Sequence, residues 1–175
     1  MQLDTPRLLI REFTKNDWKS VHTYASDPYV TKHMIWGPNT EEETRSYIEQ
    51  QIAKQTEAGR TDYEWAVQLK ESNALIGGCS LYIKDTNAEI GYCFHPRYWG
   101  KGYASEASGA LLRLAFGELG IHRVYATCRP ANTASSRVLQ RIGMKLEGHL
   151  REHLRCKGSY HDSYLFSILA SEYTV

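Results

Sequence analysis

Residues 89–104 read EIGYCFHPRYWGKGYA, and this stretch decides the fold of the chain. Its first six residues are β-prone, and glycines at positions 100 and 102 precede a segment with helical spacing. A strand that leads through such a turn into a helix leaves free backbone N–H groups and the positive end of the helix dipole at the turn. The sequence therefore predicts a site for a phosphate or pyrophosphate here. A tight strand-to-helix turn without a ligand is the alternative that Gly-x-Gly alone leaves open.

Two familiar phosphate-binding loops do not fit these residues. The dinucleotide fingerprint requires Gly or Ala three residues after Gly102, and the chain has Ser105 there. The P-loop requires Ser or Thr after Gly-Lys, whereas Lys101 is followed by Gly102. A different nucleotide-containing ligand is therefore expected.

The flanking segments predict the rest of the fold. Short turn sequences separate three strands, at residues 64–70, 74–84 and 88–94, which indicates an antiparallel meander. The helix after Gly102 connects the last of these strands to a strand at residues 123–128, which predicts a parallel pair. Further segments complete the prediction: a strand at 8–13, helices at 18–27, 41–58 and 132–142, and strands at 145–154 and 163–170. The expected fold is α+β, with a mixed, mostly antiparallel sheet of about seven strands and helices on both faces.

The helix that follows Asn132 carries an apolar repeat. Ala134, Val138 and Ile142 recur every four residues and predict the buried face of this helix, and Gly143 ends it.

Length and composition restrict the class of protein. The chain has 175 residues, of which 42% are hydrophobic and 23% charged, so we expect one ordered domain over residues 1–175. The sequence has neither an apolar run of membrane-span length nor a signal-peptide start, which predicts a cytoplasmic protein without a membrane partner. Four widely spaced cysteines indicate reduced thiols.

Charge is distributed unevenly along the chain. Residues 1–96 contain 10 Lys/Arg against 14 Asp/Glu, a net charge of −4, and residues 97–175 contain 11 against 6, a net charge of +5. A basic C-terminal half suits a bound polyanion and an acidic N-terminal half suits a cationic partner, although ordinary scatter of surface charge gives the same counts. The total net charge of +1 argues against a nucleic-acid partner.

The six residues RYWGKG at 97–102 match the Q/R-x-x-G-x-G/A signature and resemble the GNAT superfamily of N-acetyltransferases. Four other segments resemble the branch that contains the ribosomal-protein N-terminal acetyltransferases: TPRLLIR at 5–11, Asn132-x-x-Ser135, IGM at 142–144 and GHLR at 148–151. The resemblance implies a GNAT-like fold, acetyl-CoA as the acyl donor, and no metal.

The resemblance also implies which residues contact acetyl-CoA. The backbone of residues Tyr92, Cys93 and Phe94 is expected to pair with the pantetheine arm and to hold the thioester carbonyl. Backbone amides are expected to hold the pyrophosphate; they belong to Trp99, Gly100, Lys101, Gly102, Tyr103 and Ala104. Arg97 and Lys101 would add positive charge, and Asn132 and Ser135 would lie near the thioester.

Transfer to an amine needs a proton acceptor and a proton donor. Glu89, on the strand that leads to the loop, is the predicted base, with a surface strand residue as the alternative. The family's usual acid is a tyrosine seven positions after the helix-start Asn, and this chain has Leu139 there. Ser135, Tyr164 or water are the remaining donors, and Ser135 could instead only cap its helix.

Three residues are expected to border the acceptor cleft by the same resemblance: His33, Trp36 and Tyr160. Simple loop packing is the alternative for Trp36. Cys93 with His95 is a weak candidate for a nucleophile pair, and the histidines near Cys156 match no standard zinc spacing.

The predicted function is acetyl-CoA-dependent N-acetyl transfer by direct attack of a primary amine in a ternary complex. A protein N-terminus is the expected acceptor, and a polyamine, an aminoglycoside or another small amine is the alternative. A noncatalytic acyl-CoA-binding module is a further alternative. Monomer and homodimer are both compatible with the sequence.

Overall fold

Eight strands form one mixed sheet in the computed structural model, which describes residues 1–174. The strands are β1 (Gln2–Asp4), β2 (Leu8–Arg11), β3 (Asp62–Leu69), β4 (Leu75–Lys84), β5 (Asn87–Phe94), β6 (Arg123–Cys128), β7 (Lys145–Cys156) and β8 (Ser159–Leu169). Their order across the sheet is β1-β2-β3-β4-β5-β6-β8-β7. Only the β5–β6 pair is parallel. The predicted mixed, mostly antiparallel sheet is confirmed, with β1 as an additional strand.

Five α-helices pack on the sheet: α1 (Trp18–Ala25), α2 (Pro28–Thr31), α3 (Glu41–Lys54), α4 (Tyr103–Arg113) and α5 (Thr133–Arg141). α4 continues into a π-helical turn at Leu114–Glu118. The short α2 was not predicted, because Pro28 signalled only the end of α1; Pro28 also starts α2, and the Asp27 side chain accepts a hydrogen bond from the Tyr29 amide. In residues 1–174, no helix is both long and apolar enough to cross a membrane.

The two faces of the sheet carry separate apolar clusters. The larger one includes buried residues of β2 to β6, β8, α4 and α5, and the smaller one lies under α1, α2 and α3. Strand β5 contributes to both, because successive side chains of a strand point to opposite faces. Its Ile90 and Phe94 lie in the larger cluster, and Cys93 packs against the smaller one.

The predicted buried face of α5 was wrong in one position. Ala134 is exposed, whereas Leu139 is only 1% exposed and belongs to the larger cluster, with Val138 and Ile142 half-buried beside it. Each step of four residues turns a helix about 40° past a full turn, so the two steps from Ala134 to Ile142 rotate the side-chain direction by about 80°. Positions 139 and 142, three residues apart, lie closer to the sheet side.

The two parallel strands touch over a short distance only. β5 and β6 pair at Asn87↔Arg123, Ala88↔Val124 and Glu89↔Tyr125. Beyond this point β5 runs on to Phe94 and β6 runs on to Cys128 with β8 as its partner. The strands therefore separate toward their carboxyl ends and leave a cleft between them.

Asp17 connects β2 to the start of α1. Its carboxylate accepts hydrogen bonds from Arg11 Nη1 and Nη2 at 2.8 and 2.9 Å, and from the Thr14 amide and hydroxyl at 2.7 and 3.0 Å. Burial acts to raise the pKa of Asp17, but the hydrogen bonds from Arg11 and Thr14 outweigh it and hold the pKa below the ordinary value. The ionised form of Asp17 therefore stabilises the fold.

We expect Asp17→Asn to lower the free energy of unfolding by about 2 kcal/mol at neutral pH, because it leaves Arg11 without its charged partner. The difference between the variant and the wild type should shrink as the pH falls below about 4, because the wild-type Asp17 is then protonated as well. Urea unfolding of both proteins at several pH values measures this. Glu41→Gln, which removes an exposed ion pair with Arg45, is the control and should cost less than about 0.5 kcal/mol. A constant difference between Asp17→Asn and wild type down to acid pH would contradict the assignment.

Candidate active site

The cleft between β5 and β6 is the first feature of the candidate site. Along the described chain, residues 90–94 and 126–128 have no strand partner on the side that faces the cleft. Backbone N–H and C=O groups at such an edge can pair with an extended ligand that carries amide groups. The cleft opens toward the turn that begins α4.

The start of α4 has no side-chain cap. Gly102 occupies the N-cap position with φ of +83°, and a glycine has no side chain that could bond the amides of the first turn. Amides of residues 100–105 have no hydrogen-bond acceptor among residues 1–174. Gly100 also has positive φ, at +74°, and no atom lies within 4 Å of the position that a Cβ would take there. Free amides, a helix dipole and open space together make an anion site.

The N-terminal segment holds this turn in place. Arg7 Nη1 donates to the Lys101 carbonyl at 3.0 Å and Arg7 Nε donates to Glu106 Oε2 at 2.6 Å, and the guanidinium lies 4.5 Å from the centre of the Tyr103 ring. The hydroxyl of Thr5 donates to the other Glu106 oxygen at 2.6 Å. Burial opposes ionisation of Glu106, but these hydrogen bonds lower its pKa, so the carboxylate stays charged. The opening TPRLLIR segment thus has a structural role that sequence reasoning did not assign.

Some of the predicted loop residues already have hydrogen-bond partners within the chain, and others are exposed. The Trp99 amide donates to the Pro96 carbonyl at 3.1 Å, so this one of the six predicted pyrophosphate donors is already engaged. The Trp99 indole donates to the Phe94 carbonyl at 2.6 Å, which also occupies an acceptor at the predicted pantetheine edge. Both hydrogen bonds have one cause: the turn after β5 closes on itself as a 3₁₀ turn at Pro96–Tyr98. Arg97 and Lys101 are exposed.

Ser135 lies on the α5 side of the cleft and bonds to β5. Its hydroxyl oxygen is 2.8 Å from the Tyr92 hydroxyl oxygen, and the Tyr92 hydroxyl also lies 3.3 Å from the Ser135 carbonyl. The cap of α5 is Asn132, whose Oδ1 accepts from the Ser135 amide at 3.1 Å. The Ser135 hydroxyl is therefore not the helix cap. Burial raises the pKa of Tyr92 above its ordinary value, so that this hydroxyl keeps its proton at neutral pH.

Glu89 stands at the last residue pair before β5 and β6 separate. It faces Tyr82 on β4 and Tyr125 on β6. Burial raises the pKa of Glu89 above the ordinary value, while hydrogen bonding from Tyr125 and the charge of His153 act in the opposite direction. A partly buried carboxylate with a raised pKa has the properties of a general base that works near neutral pH.

A second carboxylate on the same face was missed by sequence reasoning. Glu64 on β3 accepts hydrogen bonds from the hydroxyls of Tyr47 and Tyr82. Tyr82 is also the β4 neighbour of Glu89, so the two carboxylates flank one tyrosine. Burial, together with the charge of Glu64, raises the pKa of both tyrosines. The only signal in the sequence was a glutamate inside a strand of buried residues, and the partners depend on the strand register.

The three predicted acceptor residues do not come together. His33 lines a cavity of about 340 Å³ with Lys32, Arg129, Pro130, Ala131, His161 and Asp162. Trp36 is half-buried and packs against the smaller apolar cluster. This position agrees with the loop-packing alternative. Tyr160 is 61% exposed, lies 5.9 Å from the Arg155 guanidinium, and is not part of the cavity wall. The reason is that the β7–β8 hairpin carries Tyr160 on its outer side. Arg129 is a cavity residue that the sequence did not single out.

Two other chemistries receive no support from the geometry. Burial raises the pKa of the Cys93 thiol to about 12, so the thiolate that a nucleophile requires is disfavoured. Residues 1–174 contain no cluster of three His, Cys, Asp or Glu side chains arranged to hold a metal ion. His149, one of the histidines near Cys156, instead bonds Asp162 at 2.6 Å.

Comparison with known proteins identifies the family. The model of the acetyltransferase (GNAT) domain matches residues 7–145. The chain belongs to the GNAT acetyltransferase family. It is 37% identical to the uncharacterized N-acetyltransferase YnaD of Bacillus subtilis (strain 168), over 99% of both chains. The predicted N-acetyltransferase activity is thereby confirmed at the level of acetyl transfer to an amine.

Solved structures of GNAT proteins have the same fold. An acetyltransferase of the GNAT family from Bacillus anthracis superposes with a TM-score of 0.88 at 38% identity, over 98% of this chain and all of the other. The ribosomal L7/L12 α-N-protein acetyltransferase RimL, in complex with coenzyme A, gives a TM-score of 0.85 at 21% identity and covers 97% of this chain and 98% of its own. The predicted likeness to ribosomal-protein acetyltransferases is thus confirmed for the fold. GNAT proteins use acetyl-CoA as the acyl donor.

Proposed function

We propose that this GNAT protein transfers the acetyl group of acetyl-CoA directly to a primary amine while both substrates are bound. The observation that carries the proposal is the continuous path from the edge of β5, along the cleft, to the uncapped start of α4. A ligand that joins an amide-containing arm to a pyrophosphate matches both parts of this path. Acetyl-CoA has that chemistry and supplies an activated acetyl thioester.

Backbone groups would bind the donor. The edge of β5 at residue 92 offers its N–H and C=O groups to the pantetheine arm, and this N–H is suited to hold the thioester oxygen as charge develops on it. The amides of residues 100–105 offer donors to the pyrophosphate. Arg7 bonds the Lys101 carbonyl and Glu106, and these hydrogen bonds fix the position of the amides. The turn therefore needs no side chain of its own beside the amides.

Glu89 would remove the proton from the acceptor ammonium. An amine attacks the acetyl carbonyl carbon only through its free electron pair, so the proton must leave before the new N–C bond forms. Glu89 lies at the closed end of the cleft, and its raised pKa makes it a stronger base than an ordinary glutamate. Glu64, on the same face and saturated by two tyrosine hydroxyls, is less suited to accept a proton.

Ser135 would protonate the sulfur that leaves when the C–S bond breaks. Its hydroxyl is positioned by the 2.8 Å hydrogen bond with Tyr92, and the proton that it gives up is replaced by the Tyr92 proton while water reprotonates Tyr92. The tyrosine position of the usual family acid holds Leu139, which is buried in the core and has no proton to give. Tyr92 thus supplies a tyrosine hydroxyl to the same region from the strand instead of the helix.

The first test is ligand-induced stabilisation. A ligand at 100 times its dissociation constant stabilises the native state by about 2.7 kcal/mol, which for a domain of this size raises Tm by about 5 to 10 °C. We expect acetyl-CoA and coenzyme A to give this shift and NAD to give little. In Gly102→Ala the shift should fall by at least half, because the added methyl group crowds the phosphate site and alanine disfavours the positive φ. Thermal melts with and without each ligand measure it.

Gly120→Ala is the matched control. Gly120 also has positive φ, at +62°, with no atom within 4 Å of a Cβ, and it lies at the far end of α4. Both variants should lose similar intrinsic stability, but Gly120→Ala should keep the coenzyme A shift. A shift with NAD and none with coenzyme A would refute the donor assignment.

Glu89→Gln should lower kcat/KM for acetyl transfer by about 100-fold at neutral pH and leave the coenzyme A thermal shift unchanged. In the wild type the rate should fall as the pH drops through the pKa of Glu89, because the protonated carboxyl cannot accept the proton. Glu89→Gln should lack this acid limb. Turnover against a panel of amines across the pH range measures both effects.

Two further variants complete the Glu89 experiment. Glu118→Gln, an exposed position at the end of the π-helical turn, should behave like the wild type. If Glu64→Gln removes the acid limb while Glu89→Gln keeps it, Glu64 is the base and the assignment of Glu89 is wrong. Binding of coenzyme A without transfer to any amine would instead favour a noncatalytic acyl-CoA-binding module.

Ser135→Ala should lower kcat by about tenfold to 100-fold without lowering Tm, because Asn132 and not Ser135 caps α5. Tyr92→Phe should lower kcat in the same direction and add little in the double variant, because the two hydroxyls act as one unit. Ser136→Ala is the control, since that hydroxyl contacts the Asn132 carbonyl and Cys128. Wild-type kcat in Ser135→Ala would show that the proton comes from elsewhere.

A further inference from the structure

Arg129 is a buried cation without a charged partner. Its exposed fraction is 9%, and no carboxylate of residues 1–174 forms an ion pair with it. The guanidinium contacts three neutral acceptors: Ser163 Oγ at 3.1 Å, the Asp162 carbonyl at 3.4 Å and Cys156 Sγ at 3.4 Å. Buried charges in proteins are ordinarily paired, because desolvation of a lone ion is costly. An unpaired buried guanidinium therefore points to an anion that is not part of the chain.

The cavity beside Arg129 could accommodate such an anion. It measures about 340 Å³, and its walls come from the end of α2, the segment after β6 and the β7–β8 hairpin. Lys157 Nζ donates to the Thr31 carbonyl at 2.7 Å and so ties the hairpin to α2 at the cavity. Ligand sites in proteins typically begin at about this volume.

The wall of the cavity carries more basic than acidic side chains. Lys32, His33 and His161 line it together with Arg129. The one acidic lining residue, Asp162, is already engaged, since its carboxylate accepts from His149 Nε2 at 2.6 Å and from the Glu152 amide at 2.8 Å. Burial lowers the pKa of His33, and the charges of Lys32 and Arg129 lower it further. Lys32 and Arg129 are therefore the charged cations of the wall at neutral pH, and they exceed the single negative charge of Asp162.

We propose that this cavity binds a carboxylate of the acceptor, so that the substrate of the enzyme is an amine that also carries a carboxylate. The inference rests on the proposed acetyl transfer and specifies its acceptor class. Arg129 follows β6 directly, four residues after Tyr125, which faces Glu89. Four strand residues span about 13 Å, and the Arg129 guanidinium bonds Ser163 on the far side of β6 from Glu89, so the acceptor must hold its amine and its carboxylate about that far apart. A peptide with a free N-terminus and an acidic residue at position three could place its amine at Glu89 and that carboxylate at Arg129.

A polyamine suits the charge of another surface but not this one. A wider cavity of about 530 Å³ runs along the start of α3 and is lined by Glu42 and Glu43 among others. All of its lining residues come from α3 and its cap, and the Glu43 carboxylate is committed to the Thr40 amide at 2.7 Å. The cavity at Arg129, by contrast, is built from three separate parts of the chain around a buried side chain.

Paired acceptors test the proposal. Kinetics of acetyl transfer are measured on peptide amides with Asp or with Asn at position three, on free glutamate against glutamine amide, and on spermidine. We expect kcat/KM for the peptide with Asp to exceed that of its Asn partner by about tenfold or more, and spermidine to be the poorest acceptor. Glutamate and glutamine amide should differ less, because glutamate is too short to span both ends.

Substitutions test whether the preference for carboxylate-bearing acceptors depends on the cavity. Arg129→Met should raise KM for the carboxylate-bearing acceptor by about tenfold or more with a smaller change in kcat, and leave the neutral partner unaffected. Arg129→Lys should restore part of the preference. Arg137→Met, an exposed position on α5 outside the cavity, is the control and should retain the full preference. Because Arg129 is buried and its substitution could disturb folding, Lys32→Gln at the exposed rim gives a second measurement, with a smaller rise in KM in the same direction.

Anion binding is also measured without turnover. Succinate should raise Tm of the wild type and not that of Arg129→Met. Equal use of acidic and neutral acceptors by the wild type, with Arg129→Met and Lys32→Gln unchanged, would overturn the proposal while acetyl transfer stands. Absence of transfer to every amine, with the coenzyme A shift intact, would refute the proposed function; the succinate shift would then still decide for or against the anion site.

Discussion

The short parallel contact between β5 and β6 is the constraint on which the site depends. Three residue pairs hold the strands together up to Glu89 and Tyr125, and beyond them β6 is committed to β8. An edge of β5 is left without a strand partner, although unpaired backbone groups in a protein interior are costly. A ligand that supplies the missing pairing compensates for this cost. The cleft is therefore a property of strand connectivity, and the side chains around it act on a geometry that the backbone has set.

The turn after β5 must be both open and rigid. Glycines at positions 100 and 102 keep side chains away from the amides, but glycine also leaves the backbone more freedom than any other residue. Arg7 offsets that freedom from outside, through its hydrogen bonds to the Lys101 carbonyl and to Glu106. The segment between β1 and β2 and the start of α4 are thus linked across about a hundred residues of sequence. This link gives a physical reason for the resemblance of the opening segment to other members of the family.

Charge differs between the two ends of the acceptor side. Glu64 and Glu89 lie on the sheet face beneath α1 to α3, where an ammonium would be attracted. Arg129 lies directly after β6 and lines a cavity together with Lys32, where an anion would be attracted. These residues come from both halves of the chain, so the −4 and +5 charges of the halves do not map simply onto two partners. A substrate with both charges would use both ends of this surface.

Local sequence determined the elements of this protein and the position of the phosphate turn. Period-two and period-3.6 patterns, with glycine and Thr40 at the boundaries, predicted seven of the eight strands and four of the five helices, because these signals act over a few residues. The family signature at residues 97–102 predicted the donor. The structure separates the predicted acceptor residues Trp36 and Tyr160, and the predicted buried face of α5 was wrong at Ala134, because both depend on how distant elements pack.

Only the tertiary structure brought together the groups of the candidate site. Tyr92 and Ser135 are 43 positions apart and meet at 2.8 Å, and Tyr47 and Tyr82 meet at Glu64 from a helix and a neighbouring strand. Arg129 is an unremarkable basic residue in the sequence, and it becomes a candidate ligand-binding group only because folding buries it without a counter-ion. The burial of a side chain and the pairing of its charge depend on spatial neighbours that are far apart along the chain. No local pattern of residues contains this information, so only the fold decides which charged groups are buried without a partner.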